Sequence, residues 1–321
     1  MQYIAVNNQA LSFSTTDKPQ LHENQCLIKV KAIGINRADI LQKQGKYPPP
    51  KGESEILGLE VCGEIVELGS SVINWQLGQK VFGLVAGGAY AEYVVISADH
   101  MMQLPEGYSI EQGAAIAETF LTAYQSLMWL GDLAAEQKVL IHAGASGVGS
   151  AAIQIAKSLN CYVVATVGNE AKKAACIELG SDEVINYKEE DFIAYCKENK
   201  HKFNVIIDVV AGDYLNKNIA LAALDCRIVI LSMLGGRYAQ TTDIARMLLN
   251  RVHIKASTLR NRNDVYKAKL CKAFWQDFKE QFATQKITPL IDTILPWQQC
   301  EQAHSILENN ENIGKVVLKV D

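Results

Sequence analysis

Between about residues 124 and 260 the chain repeats one pattern, in which a short apolar run is followed by a turn and an amphipathic stretch. Six apolar runs predict strands: KVLIHA, CYVVATV, EVINY, NVIIDVV, CRIVILSM and HIKAST. The stretches between them, such as GSAAIQIAKSLN, have the apolar spacing of helices. Strands that are apolar throughout are buried on both faces, and strands that alternate with helices pair in parallel. The pattern predicts an α/β domain with a doubly wound parallel sheet over residues 124–260.

The first 123 residues follow a different pattern. Their apolar residues stand in alternating or short runs such as CLIKVKAIGI, EVCGEIVELG and AYAEYVVI, separated by glycine and proline clusters such as KYPPPKG. Alternating runs with such breaks are typical of antiparallel sheets. Residues 1–123 are therefore predicted to form a mostly antiparallel β domain with loops.

After Arg260 the alternation of strands and helices stops. A long helical pattern, VYKAKLCKAFWQDFKEQFAT, precedes a proline-bounded segment, a second helix and the closing strand KVVLKV. We expect residues 261–321 to fold back and complete the first domain, and we expect ligands to bind in a cleft between the two domains.

Composition and charge favour a small-molecule partner. With 49% hydrophobic and 21% charged residues, the chain of 321 residues has globular composition. A formal net charge of -4 offers no basic surface for nucleic acid, so no such partner is expected. No apolar run approaches the roughly 18 residues that cross a bilayer, and the first residues lack the pattern of a secretion signal. We expect a cytoplasmic protein without a membrane segment.

The eight cysteines are scattered along the chain without a C-x-x-C pair. This spacing favours neither a disulfide framework nor a zinc knuckle. We expect buried thiols.

The loop GASGVG, Gly144 to Gly149, carries the candidate chemistry of the second domain. It has Ser146 in place of the second glycine of the dinucleotide pattern G-x-G-x-x-G, and Val148 in place of the last glycine of the nucleophile elbow G-x-S-x-G. Its strand-loop-helix context suits both motifs. Three histidines lie downstream of Ser146, but no recognisable motif anchors any of them as a catalytic base. A helix start that binds nothing is the third alternative.

The residues after the next strand favour the nucleotide. The strand CYVVATV is followed by Gly168, about where an enzyme that prefers NAD keeps a carboxylate for the ribose hydroxyl. A glycine with Lys172 close behind favours the 2'-phosphate of NADPH over the free hydroxyl of NADH. Glu170 leaves the alternative open, because a shift of one residue in the loop would return a carboxylate to this position.

Each residue of the GASGVG loop has a predicted role at the cofactor. Gly144 permits a tight turn, and Gly147 or Gly149 permits close packing of helix against strand. The amides at the helix start, including that of Val148, meet the pyrophosphate at the positive end of the helix dipole. Ser146 must either donate a hydrogen bond to the phosphate or displace the cofactor slightly.

Two further loops are placed at the cofactor by topology. LSMLGG follows a predicted strand and should border the adenine or the nicotinamide ribose, with Leu231, Met233 and Gly235 as the predicted contacts. STLRNR should reach the nicotinamide side, with Leu259 as the predicted contact. Core packing is the alternative for both loops.

Five stretches form a set that runs in order over nearly the whole chain: NRADILQKQGKYPPP, LGLEVCGEI, LIHAGASGVGSAAIQIAK, VINYKEEDF and ENIGKVVL. Together they resemble the zinc-free quinone oxidoreductases of the medium-chain dehydrogenase/reductase superfamily, the zeta-crystallin group. The resemblance implies a GroES-like, mostly antiparallel β catalytic domain and a Rossmann domain. It also implies NADPH-dependent reduction of quinones or related conjugated carbonyl compounds.

The resemblance also implies roles for single residues. It supports Gly168, Lys172 and Tyr187 as the pocket of the 2'-phosphate, although Tyr187 is otherwise a surface aromatic. Thr122, in FLTAYQ, stands at a cofactor contact of the family. Lys315, in ENIGKVVL, is grouped with the cofactor-binding residues on the same basis.

Two residues of the first domain fall where the family has polar groups beside the nicotinamide, and these are Asn36 and Tyr47. Asn36 is otherwise a turn residue at a strand end, and Tyr47 is otherwise a loop residue before PPP. We hypothesise that Tyr47 and the Asn36 amide stabilise the developing oxyanion while a hydride reaches the acceptor, and that Tyr47 or water supplies the proton.

The zinc ligands of the zinc-dependent members of this superfamily are missing. Those members have a cysteine in place of Asn36, the sequence Gly-His-Glu in place of Gly58, Leu59 and Glu60, and a lobe of four cysteines afterwards. Leucine cannot bind zinc, so we expect no metal cofactor. Glu60 and Asp39 are then predicted to be structural.

Two rival functions remain, together with an expectation about assembly. One rival is an enone or 2-alkenal reductase, which the same fold and cofactor would serve. The other is an NADPH-binding protein with little turnover, acting as a crystallin-like or RNA-binding protein. We expect a homodimer or homotetramer, because the strand HIKAST would otherwise leave an unpaired sheet edge.

Overall fold

The computed structural model describes residues 1–320, which divide into two compact units. Unit 1 contains Met1–Leu121 together with the chain from Leu259 onward, and unit 2 contains Thr122–Thr258. The boundaries follow residues 121 and 258, where the sequence predicts 123 and 260.

The strands, in chain order, are β1 Gln2–Asn7, β2 Ala10–Thr15, β3 Gln25–Gly34, β4 Glu60–Leu68, β5 Lys80–Leu84, β6 Tyr93–Ser97, β7 Met101–Gln103, β8 Lys138–His142, β9 Tyr162–Val167, β10 Glu183–Asn186, β11 Phe203–Asp208, β12 Ala222–Ile230, β13 His253–Ala256, β14 Ile291–Pro296 and β15 Lys315–Lys319.

The α-helices are α1 Arg37–Lys43, α2 Ile110–Gly113, α3 Ala117–Tyr124, α4 Gly147–Ser158, α5 Glu170–Glu178, α6 Phe192–Glu198, α7 Tyr214–Leu221, α8 Ile244–Asn250, α9 Asp264–Ala283 and α10 Cys300–Glu308. Two short 3-10 helices cover Ala98–His100 and Trp297–Gln299, and a π-helix covers Gln125–Leu130.

Unit 1 is built on a seven-stranded sheet in the order β14-β15-β3-β4-β5-β7, with β6 also paired to β3. Neighbouring strands are antiparallel except β14 and β15, which run parallel. β15 joins the C-terminal segment to this sheet, because Leu318 pairs with Ile33 of β3. The core combines strand residues such as Ile28 and Val61 with Tyr90 and Trp297. Each large apolar side chain buried there contributes roughly 1.5–3 kcal/mol.

Unit 2 is a six-stranded parallel sheet in the order β10-β9-β8-β11-β12-β13, with helices packed against it. This is the strand order of doubly wound dinucleotide-binding folds, in which ligands bind outside the carboxyl ends of the strands. Val139, Leu140 and Ile141 of β8 are fully buried, as a strand covered on both faces requires. The predicted fold class, a doubly wound parallel sheet plus a mostly antiparallel domain, is confirmed.

The structure also contains elements that the pattern did not predict. β1 and β2 form a separate antiparallel hairpin. α3 continues directly into the π-helix, which ends where the Gly131 N–H donates to the Ser126 carbonyl at 2.8 Å. A π-turn contains one more residue than an α-turn, and apolar spacing alone does not reveal it.

Two further expectations concern thiols and membranes. All eight cysteines are buried and free, as predicted. Burial raises the pKa of Cys26 to about 11 and that of Cys176 to about 12, so these thiols stay protonated at neutral pH. Among residues 1–320, no helix combines the length and the apolar character that a membrane crossing requires.

His304 of α10 is fully buried in unit 1, where its Nε2 lies 2.8 Å from the Tyr90 hydroxyl. Because that hydroxyl donates to Asp39, we assign the Nε2–H tautomer to His304. Burial, together with the nearby Lys43 ammonium, lowers the pKa of His304 to about 3. The folded protein therefore keeps this ring neutral under mildly acidic conditions, whereas the unfolded chain protonates it below about pH 6.5.

Acidification should destabilise the fold through His304. Between pH 7 and pH 5 this group alone should lower the free energy of unfolding by about 2 kcal/mol. Urea unfolding at the two pH values should show that His304→Gln removes this part of the loss, whereas His22→Gln, on the exposed surface, leaves the wild-type dependence intact. An unchanged pH dependence in His304→Gln would contradict the assignment.

Candidate functional site

The GASGVG loop connects β8 to α4 at the carboxyl ends of the strands of unit 2. Ser146 is the N-cap of α4, because the Gly149 N–H donates to its Oγ at 3.0 Å. Among the described residues, the backbone N–H groups of Gly147 and Val148 have no acceptor. Free N–H groups at the positive end of a helix dipole form a site for a phosphate.

Two glycines of this loop lie so close to neighbouring residues that a side chain would not fit. A Cβ on Gly149 would lie 2.3 Å from the Ala143 carbonyl oxygen, and a Cβ on Gly144 would lie 2.7 Å from the Cβ of Ala165. Gly149 is thus a glycine that lets the helix approach the strand. The tight turn that the sequence assigns to Gly144 has its positive φ at Ala143 instead, at 54°.

The hydroxyl of Ser146 serves as a helix cap. It accepts from the Gly149 N–H and bonds to no histidine in the described chain. Without a base, the alternative of a hydrolase nucleophile has no support in the structure. A capping hydroxyl keeps its own hydrogen, which Ser146 can donate to a phosphate oxygen.

The end of β9 carries the predicted 2'-phosphate residues. Gly168 lies beside Tyr187, so that a Cβ on Gly168 would be 2.7 Å from the Tyr187 hydroxyl oxygen. Lys172 lies in the first turn of α5, which Asn169 caps by accepting from the Lys172 N–H at 2.8 Å. The structure therefore places Tyr187, which follows β10, against Gly168, which follows β9, with Lys172 in the first turn of the helix after Gly168.

Glu170 was the reason to leave the nucleotide preference open. One of its carboxylate oxygens accepts a hydrogen bond from the Asn186 side chain at 3.3 Å. This contact draws Glu170 to the end of β10. No carboxylate stands at Gly168 itself, which continues β9 into α5.

A buried network behind this edge joins three strand ends. His142 of β8 contacts Thr166 of β9 at 2.9 Å and the Asn218 side-chain oxygen at 2.8 Å, and the Asn218 amide donates to Asp208 of β11 at 2.9 Å. His142 must donate from Nε2 to that oxygen, so its Nδ1 accepts from the Thr166 hydroxyl. Burial lowers the pKa of His142, which keeps the ring neutral. The network fixes the strands that hold the GASGVG loop and Gly168.

The predicted loop after β12 lies beside the loop after β11. The Leu231 N–H donates to the Asp208 carbonyl at 2.8 Å, and the Gly235 N–H donates to the Val210 carbonyl at 2.7 Å. Met233 is exposed. Leu231, Met233 and Gly235 thus belong to the same carboxyl edge of the sheet as the GASGVG loop.

Unit 1 contains a second candidate site, here called the polar cluster, whose members are Asn36, Asp39, Glu60, Glu118, Arg260 and Lys315. Lys315 is at its centre and is 4% exposed. Its ammonium donates to the Ile35 carbonyl at 2.7 Å, to Asn36 Oδ1 at 2.7 Å and to Glu60 Oε1 at 2.6 Å. These three acceptors match its three hydrogens. All three hydrogens of the ammonium are therefore donated to groups of unit 1. This arrangement differs from the sequence prediction, in which Lys315 contacts the cofactor.

Both amide hydrogens and the oxygen of the Asn36 side chain also have hydrogen-bond partners. Its amide donates to the Gly34 carbonyl at 3.2 Å and to Glu60 Oε1 at 3.0 Å, while its oxygen accepts from Lys315. No amide hydrogen is left for a substrate. The hypothesis that the Asn36 amide donates to the oxyanion does not fit this arrangement, because the buried carboxylate of Glu60 holds that hydrogen.

Asp39 anchors the start of α1. It accepts from the Asn36 N–H at 2.8 Å and from the Gly58 N–H at 3.1 Å. Burial raises the pKa of Asp39 to about 6, against the opposing effects of the Asn36 N–H, Lys315 and Arg260. Asp39 is still ionised at neutral pH.

Tyr47 has a free hydroxyl. No hydrogen bond to this group occurs among residues 1–320, whereas its ring lies 5.5 Å from the guanidinium of Arg260. Burial and the nearby Glu118 raise the pKa of Tyr47, with partial opposition from Arg260. The hydroxyl therefore keeps its proton at neutral pH and can donate a hydrogen bond to a ligand.

Arg260 is a residue that sequence reasoning missed. It is 3% exposed, donates to the Ala86 carbonyl at 2.7 Å and to Gln42 Oε1 at 2.7 Å, and stacks on Tyr47. The sequence predicts a cofactor contact for its neighbour Leu259, but Leu259 is buried in unit 1, as the core-packing alternative expects. The only signal in the sequence was its position in STLRNR, a loop predicted to reach the nicotinamide side.

Glu118, in the first turn of α3, was also missed. Its backbone N–H donates to Glu60 Oε2 at 2.9 Å, but its own Oε2 is buried and has no hydrogen-bond partner. Burial and the neighbouring Glu60 raise the pKa of Glu118 to about 8. Thr122, the predicted cofactor contact, follows four residues later on the same helix, and its Oγ1 is likewise buried without a partner. Helical residues four apart share one face.

These positions do not form a zinc site. Leu59 is a buried hydrocarbon, and the Glu60 carboxylate already binds the Lys315 ammonium at 2.6 Å. A second cation at Glu60 would be repelled by that ammonium. Within residues 1–320, no group of three or more His, Cys, Asp or Glu side chains is arranged to hold a metal ion.

Comparison with known proteins identifies both units. The family described as alcohol dehydrogenase GroES-like domain matches residues 22–106, and the family described as zinc-binding dehydrogenase matches residues 147–272. The chain is 31% identical to quinone oxidoreductase 1 of Escherichia coli, over 97% of this chain and 94% of that protein. It is 26% identical to a VAT-1 homolog of Danio rerio over 95% of this chain, but it spans only 66% of that relative.

Comparison with solved structures gives the same family. The quinone oxidoreductase of Escherichia coli complexed with NADPH superposes with a TM-score of 0.86 at 26% identity, over 99% of this chain and 98% of that chain. The fold, the two matched families and the 31% identity over nearly the full length lead to one conclusion. The chain belongs to the quinone oxidoreductase group of the medium-chain dehydrogenase/reductase superfamily, a superfamily of NAD(P)H-dependent oxidoreductases.

Proposed function

We propose that this protein reduces quinones and related conjugated carbonyl compounds with NADPH and without zinc. The observation that carries the proposal is the end of β9, where Gly168 leaves room beside Tyr187 and Lys172 stands in the next turn. That arrangement suits a 2'-phosphate and offers no carboxylate at Gly168 to a free ribose hydroxyl. The similarity to a quinone oxidoreductase that was solved with NADPH supports the same conclusion.

Unit 2 supplies the nucleotide residues. The N–H groups of Gly147 and Val148 and the hydroxyl of Ser146 would hold the pyrophosphate, and Lys172 with Tyr187 would hold the 2'-phosphate. When bound, the reduced nicotinamide supplies a hydride to the acceptor. The partnerless Thr122 hydroxyl and the loop with Leu231, Met233 and Gly235 complete this set.

Unit 1 supplies the acceptor residues. The free Tyr47 hydroxyl donates a hydrogen bond to the carbonyl oxygen, where negative charge develops during reduction. The guanidinium of Arg260 lies over the face of the Tyr47 ring and adds positive charge. Asn36 and Lys315 position the cluster through Glu60 and do not contact the acceptor. Leu259 packs in the core beside Arg260.

The reaction does not require a Lewis acid. Quinones are already electrophilic, so hydrogen-bond donors can stabilise the charge that a zinc ion stabilises in alcohol oxidation. The cation that lies next to Glu60 is the Lys315 ammonium, which belongs to the chain itself.

We also propose that the protein forms a homodimer or homotetramer through unit 2. β13 is the edge strand of the parallel sheet, and the neighbouring α8 exposes Ile244, Leu248 and Leu249 at 58%, 74% and 78%. An unpaired strand beside exposed apolar side chains is typical of an association surface. Light scattering on the purified protein measures the stoichiometry directly.

The decisive test follows the loss of reduced-nicotinamide absorbance with NADPH and with NADH. The acceptors are a small quinone, a bulky ortho-quinone and an aliphatic enone. Quinone turnover with preference for NADPH is expected. Turnover with the enone alone would favour the enone reductase, and NADPH binding without turnover of any acceptor would favour a non-catalytic protein.

The nucleotide preference should depend on Gly168 and Lys172. Lys172→Ala removes a charged partner of the phosphate and should weaken NADPH binding about 10- to 100-fold, with little effect on NADH. Gly168→Asp should weaken NADPH binding further through repulsion, and its side chain should fit after a small shift of the exposed Tyr187. Fluorescence titration of both nucleotides measures the effect. Equal losses for NADPH and NADH would refute a 2'-phosphate pocket at this strand end.

Tyr47→Phe should slow turnover while NADPH binding stays the same. Loss of one hydrogen-bond donor to the developing charge should lower kcat at least about tenfold. Tyr238→Phe, at a side chain that is 78% exposed, is the matched control and should behave like wild type. Wild-type turnover in Tyr47→Phe would remove Tyr47 from the mechanism.

A further inference from the structure

The carboxyl group of Glu118 is the unexplained polar group of the polar cluster. Its Oε2 is buried without a hydrogen-bond partner, whereas Glu60 accepts from Lys315, Asn36 and the Glu118 N–H. A buried polar atom with no partner costs roughly 1–3 kcal/mol, and more if it is charged. A group that carries such a cost in the folded protein is a candidate for a ligand contact.

The charges of the cluster indicate which carboxyl group holds a proton. Three carboxyl groups, those of Asp39, Glu60 and Glu118, face two cations, Lys315 and Arg260. Glu60 is paired with Lys315 at 2.6 Å, and Asp39 accepts two backbone N–H groups. Glu118 has neither kind of partner. It is the carboxyl group of the cluster whose pKa burial raises to about 8.

The helix dipole does not reverse this conclusion. Glu118 lies in the first turn of α3, where a negative charge gains about 0.3–1 kcal/mol. Burying a carboxylate without a partner costs several kcal/mol. Oε2 of Glu118 is buried, although the residue as a whole keeps some exposure to solvent. Because desolvation opposes ionisation more than the dipole favours it, the protonated carboxyl group is an O–H donor without an acceptor among residues 1–320.

Glu118 is also a better acid than Tyr47. Burial raises the pKa of Glu118 to about 8, while the pKa of Tyr47 is raised from a value that is already near 10. A general acid works best when its pKa lies near the working pH. Glu118 lies near enough to Tyr47 for its charge to raise the pKa of Tyr47, and both groups lie near Arg260.

We propose that Glu118 is the general acid of the reaction: its carboxylic acid and the Tyr47 hydroxyl both donate to the carbonyl oxygen of the acceptor, and Glu118 gives up its proton there. This role rests on the proposed reductase function. It assigns the proton that Tyr47 or water would otherwise have to supply.

The step balances. The acceptor gains a hydride, and with it two electrons, from NADPH, and its carbonyl oxygen becomes negative. The O–H bond of Glu118 breaks as a new O–H bond forms on that oxygen. The carboxylate left behind is raised in energy by Glu60 and Asp39 and lowered by Lys315 and Arg260, and water reprotonates it before the next turnover.

The pH dependence of turnover tests the proposal. Wild-type kcat with a quinone should fall about tenfold per pH unit above about pH 8, as Glu118 loses its proton. Glu118→Gln should lower kcat about 100-fold at neutral pH and should lose this alkaline fall, because the amide neither ionises nor supplies the proton. Glu118→Asp keeps an acid with a shorter reach, so it should recover part of the rate together with an alkaline fall.

Two further measurements separate acid catalysis from a structural role. Infrared difference spectra of the unliganded protein between neutral and alkaline pH should show one protonated carboxyl group that disappears on titration in wild type and is missing in Glu118→Gln. Binding of NADPH should be unchanged in Glu118→Gln, which shows that the variant is folded. The exposed Glu106→Gln variant should match wild type in every measurement.

The outcomes distinguish the two proposals. If wild type turns over no acceptor with either nucleotide, the reductase function fails, and the role of Glu118 fails with it. If wild type reduces quinones but Glu118→Gln keeps both the rate and the alkaline fall, the function stands and Glu118 is not the acid. Glu118 is also not the acid if the infrared spectra show that it is already ionised at neutral pH.

Discussion

The ion pair between Lys315 and Glu60 is the constraint on which the polar cluster of unit 1 depends. Both side chains are almost completely buried, and removing two charges from water costs several kcal/mol each unless they stay paired and hydrogen-bonded. Every donor of the ammonium is accordingly used, and Glu60 accepts from Asn36 and from the start of α3. The pair thereby fixes three segments of unit 1 in one arrangement. With both charges satisfied, Tyr47 and Glu118 are left with free polar groups.

In unit 2 the strand ends are held together by a hydrogen-bond network and not by a buried ion pair. The His142, Asn218 and Asp208 network carries a neutral histidine and an amide between strand ends, with one carboxylate at its far end. Such a network aligns the strands without using the backbone N–H groups of Gly147 and Val148 at the start of α4. In the function proposed above, unit 2 would hold a phosphate with backbone amides, and unit 1 would present O–H donors to an oxygen that becomes negative.

Sequence patterns predicted the parts of the structure that depend on residues close to one another in the chain. The apolar runs of unit 2 are strands because each run is buried on both faces, and GASGVG was placed correctly because strand, loop and helix follow one another in the chain. The uses of Asn36 and Lys315 could not be derived in this way. Their partners are 24 and 255 residues distant along the chain, respectively, and only the folded sheet brings them to Glu60. The importance of Arg260 and Glu118 likewise emerges from burial, which no local pattern reports.

The position of Lys315 in β15 has a consequence for the order of folding. Glu60 and Asn36 emerge early in synthesis, but Lys315, which donates to both, lies 255 and 279 residues later, respectively. Until the last strand docks, the Glu60 carboxylate has to remain hydrated, so the interior of unit 1 cannot close around it. Unit 2 is continuous in sequence and needs no such delay. A nascent chain is therefore expected to complete unit 2 first and the polar cluster of unit 1 last.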